Sequence, residues 1–313
     1  MAQQLALIQQ ASLVDAWLTV GIFDGVHIGH QEIIRGLAAG AHAAGAPAVV
    51  VTFHPHPAAV IRHLGGPHLL SMPVERVDYL SAIGADVVIT HLFDHQVAGT
   101  TAVDFLTLCK KHLGFRHLWV GYDFALGHKR EGDLHRLHEL QLDLDYELQV
   151  IPPVQLNGHI VSSSRIRGLL RVGQVAEAAQ ALGRWYQIIG TVVPGDGRGR
   201  KLGIPTANLS LPPEKLIPDA GVYACIATSG DQSFPAAVNI GYRPTFDGST
   251  AEPLVEAHLL DFHGDLYGQQ VSLQFISRLR GEKRFDSIQA LVEQIQQDIS
   301  NTKELVEIHT LMK

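Results

Sequence analysis

The chain has 313 residues, too many for one small domain, so two domains are expected. Hydrophobic residues make up 46%, enough for real cores, while the formal charge of −7 advertises no basic face and argues against a dedicated nucleic-acid binder. Cys109 and Cys225, the two cysteines, are far apart with no CxxC partner, and the sequence shows neither a secretory leader nor a bilayer-length apolar run; a cytoplasmic protein without membrane contact is expected.

Up to about residue 160 the pattern alternates strand and helix. Strands are predicted over 17–23, 47–53, 85–91, 117–122 and 147–152, with a short piece at 158–161. Helices are predicted over 30–44, 74–83, 103–113 and 133–140. Such alternation implies an α/β domain of Rossmann-like form, a parallel sheet with helices on both faces. Its ligands bind beyond the C-terminal strand ends. A helix is predicted over 164–182, and composition shifts at Gly183. Short apolar runs over 187–193, 221–228, 236–240, 254–260 and 270–276 then alternate with turn signals, which predicts an antiparallel β-barrel. A terminal amphipathic helix is predicted over 287–309. The domain boundary is expected near residue 184, giving 1–184 and 185–313.

The first informative run is GIFDGVHIGH over 21–30, where a strand passes into a helix. Gly25 and Gly29 let backbone amides approach an anion, and a helix start adds free N–H groups and a positive dipole end. His27 and His30 are three apart and share a helical face. Two imidazoles there can donate to phosphate oxygens that gain charge in a transition state. Gly21, Phe23 and His54 complete the nucleotide-binding candidates of this region; His54 belongs to FHPHP over 53–57, at the end of the second strand. The same histidines, His27, His30, His54 and His56, leave open a metal-dependent hydrolase. Ser162, Ser163 and Ser164, followed by Arg165 and Arg167, place hydroxyls and cations at a helix start, a good anion site.

The second informative run is GDGRGRKLGIPTAN over 195–208. A loop with Gly199, Arg198, Arg200 and Lys201 can wrap a polyphosphate, and it is not a Walker A loop. If 206–208 is extended, Thr206 and Asn208 point to one side, and their oxygens can hold Mg²⁺.

The motifs resemble those of the bacterial bifunctional riboflavin kinase/FAD synthetase family. GIFDGVHIGHQ, FHPHP, VGYDFALGHKREGD (120–133) and SSSRIRGLL (162–170) match its nucleotidyltransferase half in order. The 195–208 run, NIGYRPTF (239–246) and VEAHLLDFHGDLYG (255–268) match its kinase half. The resemblance implies that His27 and His30 stabilise the ATP α-phosphate, that Asp123 lies near the nucleotide, and that Glu256 is the general base on the riboflavin 5′-hydroxyl. It implies ATP, riboflavin, FMN and FAD as substrates or products, with Mg²⁺ at both sites. The pattern departs at Ile22, where many relatives carry Asn, and at Ala125 and Leu126, where Arg-Phe is common. These departures leave a monofunctional riboflavin kinase as an alternative, beside a non-catalytic flavin-binding module. The sequence also leaves a homo-oligomer open.

Overall fold

Continuous apolar runs in the first half become strands buried on both faces. The computed structural model describes residues 2–311 apart from 64, 196, 198, 200–202 and 244–251. The chain divides into two units, Met1–Ser163 and Ser164–Lys313.

The first unit opens with β1 (Gln3–Leu5), β2 (Trp17–Val20), α1 (Ile28–Ala43), β3 (Ala48–His54), α2 (Pro57–Arg62), α3 (Pro73–Ala82) and β4 (Val87–Leu92). It continues with α4 (His95–Ala98), α5 (Ala102–Leu113), β5 (His117–Gly121), α6 (Leu134–Leu144) and β6 (Glu147–Ile151), then the two-residue strands β7 (Gln155–Leu156) and β8 (His159–Ile160). Six strands form one sheet in the order β1-β4-β3-β2-β5-β6, with every neighbouring pair parallel. The chain leaves β2 toward β3 on one side and later crosses to β5 on the other. The loops after β2 and β5 therefore diverge at a topological switch point, where such sheets bind ligands.

Strand β3 shows how both faces fill. Val49 and Val51 join a core with Phe105, Leu106 and Leu137. Their neighbour Val50 packs with Ile34 and Leu80, and Ala48 with Leu37 and Ala41. This period of two puts α5 and α6 on one face and α1 and α3 on the other. Helix α1 lies close to the sheet because two glycines on it meet indoles. A Cβ on Gly36 would lie 2.5 Å from Trp119, and one on Gly40 would lie 2.1 Å from Trp17. Trp17 is itself stacked on His117 at 3.9 Å, which limits its retreat. Gly40→Ala gains about 1 kcal/mol of helix propensity but overpacks by about 1–3 kcal/mol. We expect a net loss, read as a lower melting midpoint of this unit; an unchanged or higher midpoint would show that Trp17 swings aside.

Helix α7 (Ser163–Arg171) starts on the last residue of the first unit and runs into the second, followed by α8 (Val175–Leu182). The single helix predicted there is broken at Gly173, whose φ of 76° no helix accommodates. Then come β9 (Tyr186–Val193), β10 (Ala207–Ser210), β11 (Gly221–Ser229), β12 (Gln232–Arg243), β13 (Glu252–Leu259), β14 (Gln270–Arg280) and the terminal α9 (Ile288–Leu311). The six strands close into an antiparallel barrel, β10-β13-β12-β11-β14-β9. On β9, Tyr186, Ile188 and Val192 are buried while alternate residues are only partly so; on β13, Val255, Ala257 and Leu259 point inward. Arg278 ties the helix pair to the barrel by donating to the Val172 carbonyl and to Asp219. Arg280 holds α9 through Asp298, with N···O distances of 3.0 and 2.9 Å.

Candidate functional site

In the first unit the loop after β2 carries the histidine pair. Its backbone is unusual: Phe23 has φ 48°, Gly25 has φ 81° and Val26 has φ 39°. Positive φ at a β-branched residue is an outlier that surrounding structure must hold in place. His27 is the N-cap of α1, and its Nδ1 accepts the His30 backbone N–H at 3.3 Å. A neutral His27 ring accepting at Nδ1 carries its proton on Nε2, so that nitrogen is the donor. The His27 and His30 rings stack with centroids 3.6 Å apart, and His30 meets the Phe23 ring edge-on at 5.2 Å. Two glycines permit this. A Cβ on Gly29 would lie 3.2 Å from His27 Cε1, and one on Gly21 would lie 2.8 Å from Phe23 Cζ. Gly21, Phe23, Gly25, His27, Gly29 and His30 thus form one cluster at the positive end of α1.

Ser163 reaches the same loop, its Oγ donating to the Asp24 carbonyl at 2.9 Å. Ser162 precedes it, and Ser164, Arg165 and Arg167 follow on α7. His54 ends β3, the strand beside β2, and Asp123 follows β5 and is exposed. His56 caps α2 by accepting the Ala58 N–H. Among the described residues no three His, Cys, Asp or Glu side chains converge to hold a metal ion. His91 shows what the histidine content can mean instead. It is buried in β4 and accepts the Ile8 N–H, and burial holds its pKa below the ordinary imidazole value.

At the departures from the family pattern, hydrogen bonds run through the main chain. The Ile22 carbonyl accepts from Thr52 Oγ1 at 2.8 Å. Leu126 and Gly132 exchange backbone hydrogen bonds of 3.1 and 2.9 Å, closing the loop after β5 whatever side chain stands at 126. Glu131 pins that loop to the start of α5 by accepting the Ala102 N–H.

In the second unit Asn208 on β10 pairs with Glu256 on β13, and Glu256 pairs with Asn239 on β12. Direct cross-strand partners share a face. The inward residues next to them, Leu209 and Val255, also pair, so Asn208, Glu256 and Asn239 form a row on the outer face. Asn208 is nonetheless only 7% exposed. Gly195 packs against it, since a Cβ there would lie 2.0 Å from Asn208 Nδ2. A Cβ on Gly199 would lie 3.5 Å from Thr206 Oγ1. Each predicted metal-binding side chain thus has a glycine of the 195–208 run beside it. Asn208 Oδ1 is buried and has no hydrogen-bond partner among the described residues, a state that suits a cation ligand. Arg198, Arg200 and Lys201 lie outside the described residues.

Sequence reasoning missed several participants. His258 Nδ1 lies 2.7 Å from the Pro205 carbonyl, which can only accept, so the ring donates and fixes the start of the 205–208 segment. A cavity of about 110 Å³ adjoins Thr206, lined by Val192, Leu259, Phe262, Leu266 and Tyr267 among others. Asp24 and Arg76, both buried, brace the histidine loop. Alternation along β13 puts His258 on the face of Glu256 but by itself gives it no role; the cavity and the Asp24–Arg76 contact join segments far apart in sequence and left no local signal.

Comparison with known proteins agrees with this layout. A family model described as FAD synthetase matches residues 9–165, and one described as riboflavin kinase matches residues 182–306. The bifunctional riboflavin kinase/FMN adenylyltransferase of Bacillus subtilis (strain 168) is 33% identical, covering 90% of this chain and 89% of its own. The protein of the same name from Escherichia coli (strain K12) is 35% identical over 95% of each chain. A crystal structure named a macrolide-efflux protein from Streptococcus pneumoniae is 31% identical, with a TM-score of 0.87, covering 96% of this chain and 98% of that one. That name stands for the Streptococcus protein; among the described residues of this chain no helix is long and apolar enough to cross a membrane. With both family models matched in order and relatives at this identity over nearly the whole chain, the chain belongs to the bifunctional riboflavin kinase/FMN adenylyltransferase family.

Proposed function

We infer that this chain makes FAD from riboflavin in two steps, each consuming ATP and each on its own part of the chain. Residues 185–313 phosphorylate the riboflavin 5′-hydroxyl to give FMN. Residues 1–184 transfer AMP from ATP to FMN, giving FAD and pyrophosphate. One observation carries the reading: each unit holds its own donor set of the right chemistry. The first has stacked histidines at a helix N-terminus. The second has a carboxylate paired across strands with a buried amide that Gly195 packs against.

In the first reaction Glu256 accepts the hydroxyl proton as the oxygen attacks the γ-phosphate. Thr206 and Asn208 would hold Mg²⁺, which when bound offsets charge on the ATP phosphates. Gly199, Arg200 and Lys201 bind those phosphates, and the cavity beside Thr206 takes the base. In the second reaction His27 Nε2–H and His30 donate to the α-phosphate as charge builds on its oxygens. Gly21, Phe23, Gly25, Gly29, His54 and Asp123 shape the nucleotide site. Ser162, Ser163, Ser164, Arg165 and Arg167 hold phosphate oxygens. On this reading the enzyme works in the cytoplasm, with Mg²⁺ also at the adenylyl site, on small molecules and not on nucleic acid or membrane.

The test is a time course with riboflavin, ATP and Mg²⁺, products separated by chromatography. FMN should rise first and FAD follow. FMN without FAD would reduce the chain to a monofunctional kinase, and no product at all would leave only a binding module.

A further inference from the structure

The histidine loop holds a backbone that no isolated peptide would favour, so something must enforce it. Phe23, Gly25 and Val26 all have positive φ within four residues. The groups that enforce it converge on Arg76 of α3. Its side chain is fully buried, which is unusual for a charged residue unless it is paired.

From one side the Arg76 guanidinium donates to Thr52 Oγ1 and to the Phe53 carbonyl, both at 3.0 Å. Thr52 Oγ1 in turn donates to the Ile22 carbonyl at 2.8 Å. From the other side the guanidinium lies 3.9 Å from Asp24 Oδ1 and reaches the Ser71 carbonyl at 3.4 Å. The Asp24 carboxylate accepts the Leu70 and Ser71 N–H groups at 2.9–3.0 Å. Ser71 Oγ accepts the Gly25 N–H at 2.9 Å. Ile22, Asp24 and Gly25, around the positive-φ residues, are thus all held by groups that Arg76 touches.

A buried ion pair is a poor way to gain stability, because desolvation consumes most of the Coulomb attraction and an apolar replacement does as well. What the guanidinium supplies is direction, since its planar fork fixes three segments relative to one another. We propose that Arg76 is a positioning residue for adenylyl transfer, holding the 22–26 backbone so that His27 and His30 meet the α-phosphate in the transition state. It touches neither nucleotide nor flavin and acts through Asp24, Thr52 and Ser71.

The test uses the full chain with Arg76→Met and Arg76→Lys, assayed well below their melting midpoints. Kinase turnover on the other unit serves as an internal control. We expect Arg76→Met to lower kcat for FAD formation roughly tenfold to a hundredfold, the scale of a misplaced catalytic group, with KM for ATP and FMN and the kinase rate nearly unchanged. Arg76→Lys should recover part of the loss. Hydrogen exchange supplies a readout independent of turnover: amides 21–30 should lose protection in Arg76→Met while barrel amides keep theirs. A folded Arg76→Met with wild-type kcat, or with unchanged loop protection, overturns the proposal. So does a loss confined to KM. If Arg76→Met does not fold, the isosteric Thr52→Val decides, with a several-fold fall in kcat expected and an unchanged kcat overturning the proposal. The inference rests on the adenylyl-transfer reading. A wild-type protein inactive on FMN would sink that reading, whereas a fully active Arg76→Met sinks only the positioning role.

Discussion

Glu256→Gln should abolish riboflavin phosphorylation while FAD formation from added FMN continues. Gln keeps the size and one carbonyl oxygen of the side chain but cannot take a proton at neutral pH. A primary alcohol is a poor nucleophile, and a positioned base contributes roughly a hundredfold to ten-thousandfold. The fall should appear in kcat, with riboflavin binding nearly intact. The side chain lies on the outer face of β13, between Asn208 and Asn239 in the cross-strand row, so no core contact is lost and stability should barely change. Riboflavin turnover within threefold of wild type would remove Glu256 from the chemistry.

The reciprocal variant is His27→Asn. Alanine would be ambiguous, because His27 also caps α1 by accepting the His30 N–H, and losing a cap costs about 0.5–2 kcal/mol. Asparagine is among the best N-caps and retains that bond in kind, but it removes the imidazole donor. A fall of roughly a hundredfold to a thousandfold in kcat for FAD formation is expected, the scale of losing one donor to a charge-bearing oxygen. Kinase turnover should stay at the wild-type rate. Mixing the two inactive variants should restore FAD synthesis from riboflavin, because FMN released by one is substrate for the other. A His27→Asn protein that makes FAD at the normal rate would transfer the electrostatic role to other groups.

Much of the architecture was legible because burial writes itself into periodicity. The strand at 47–53 reads as a run of valines, and its alternate residues enter two different cores. The strand Gln3–Leu5 was missed because it is three residues long, carries two glutamines and packs at the sheet edge. The break between α7 and α8 hides in one glycine, since Gly173 within a helical pattern reads as a mere weakness until its φ is known. The histidine pair was legible because a spacing of three puts both rings at one helix start. The Asp24–Arg76 brace was not, since an arginine on a helix reads as a solvated charge, and only the tertiary fold brings residues 24, 52, 71 and 76 together.

The outer-face row on the barrel also says how this half of the molecule divides its labour. Val255, Ala257 and Leu259 fill the interior, while Glu256 and His258, between them on the same strand, look outward. Odd positions on this strand serve cohesion, while even positions face outward, where a side chain can change at little cost in packing. Selection on the flavin or nucleotide can then rewrite one side of each strand without reopening the question of whether the barrel folds.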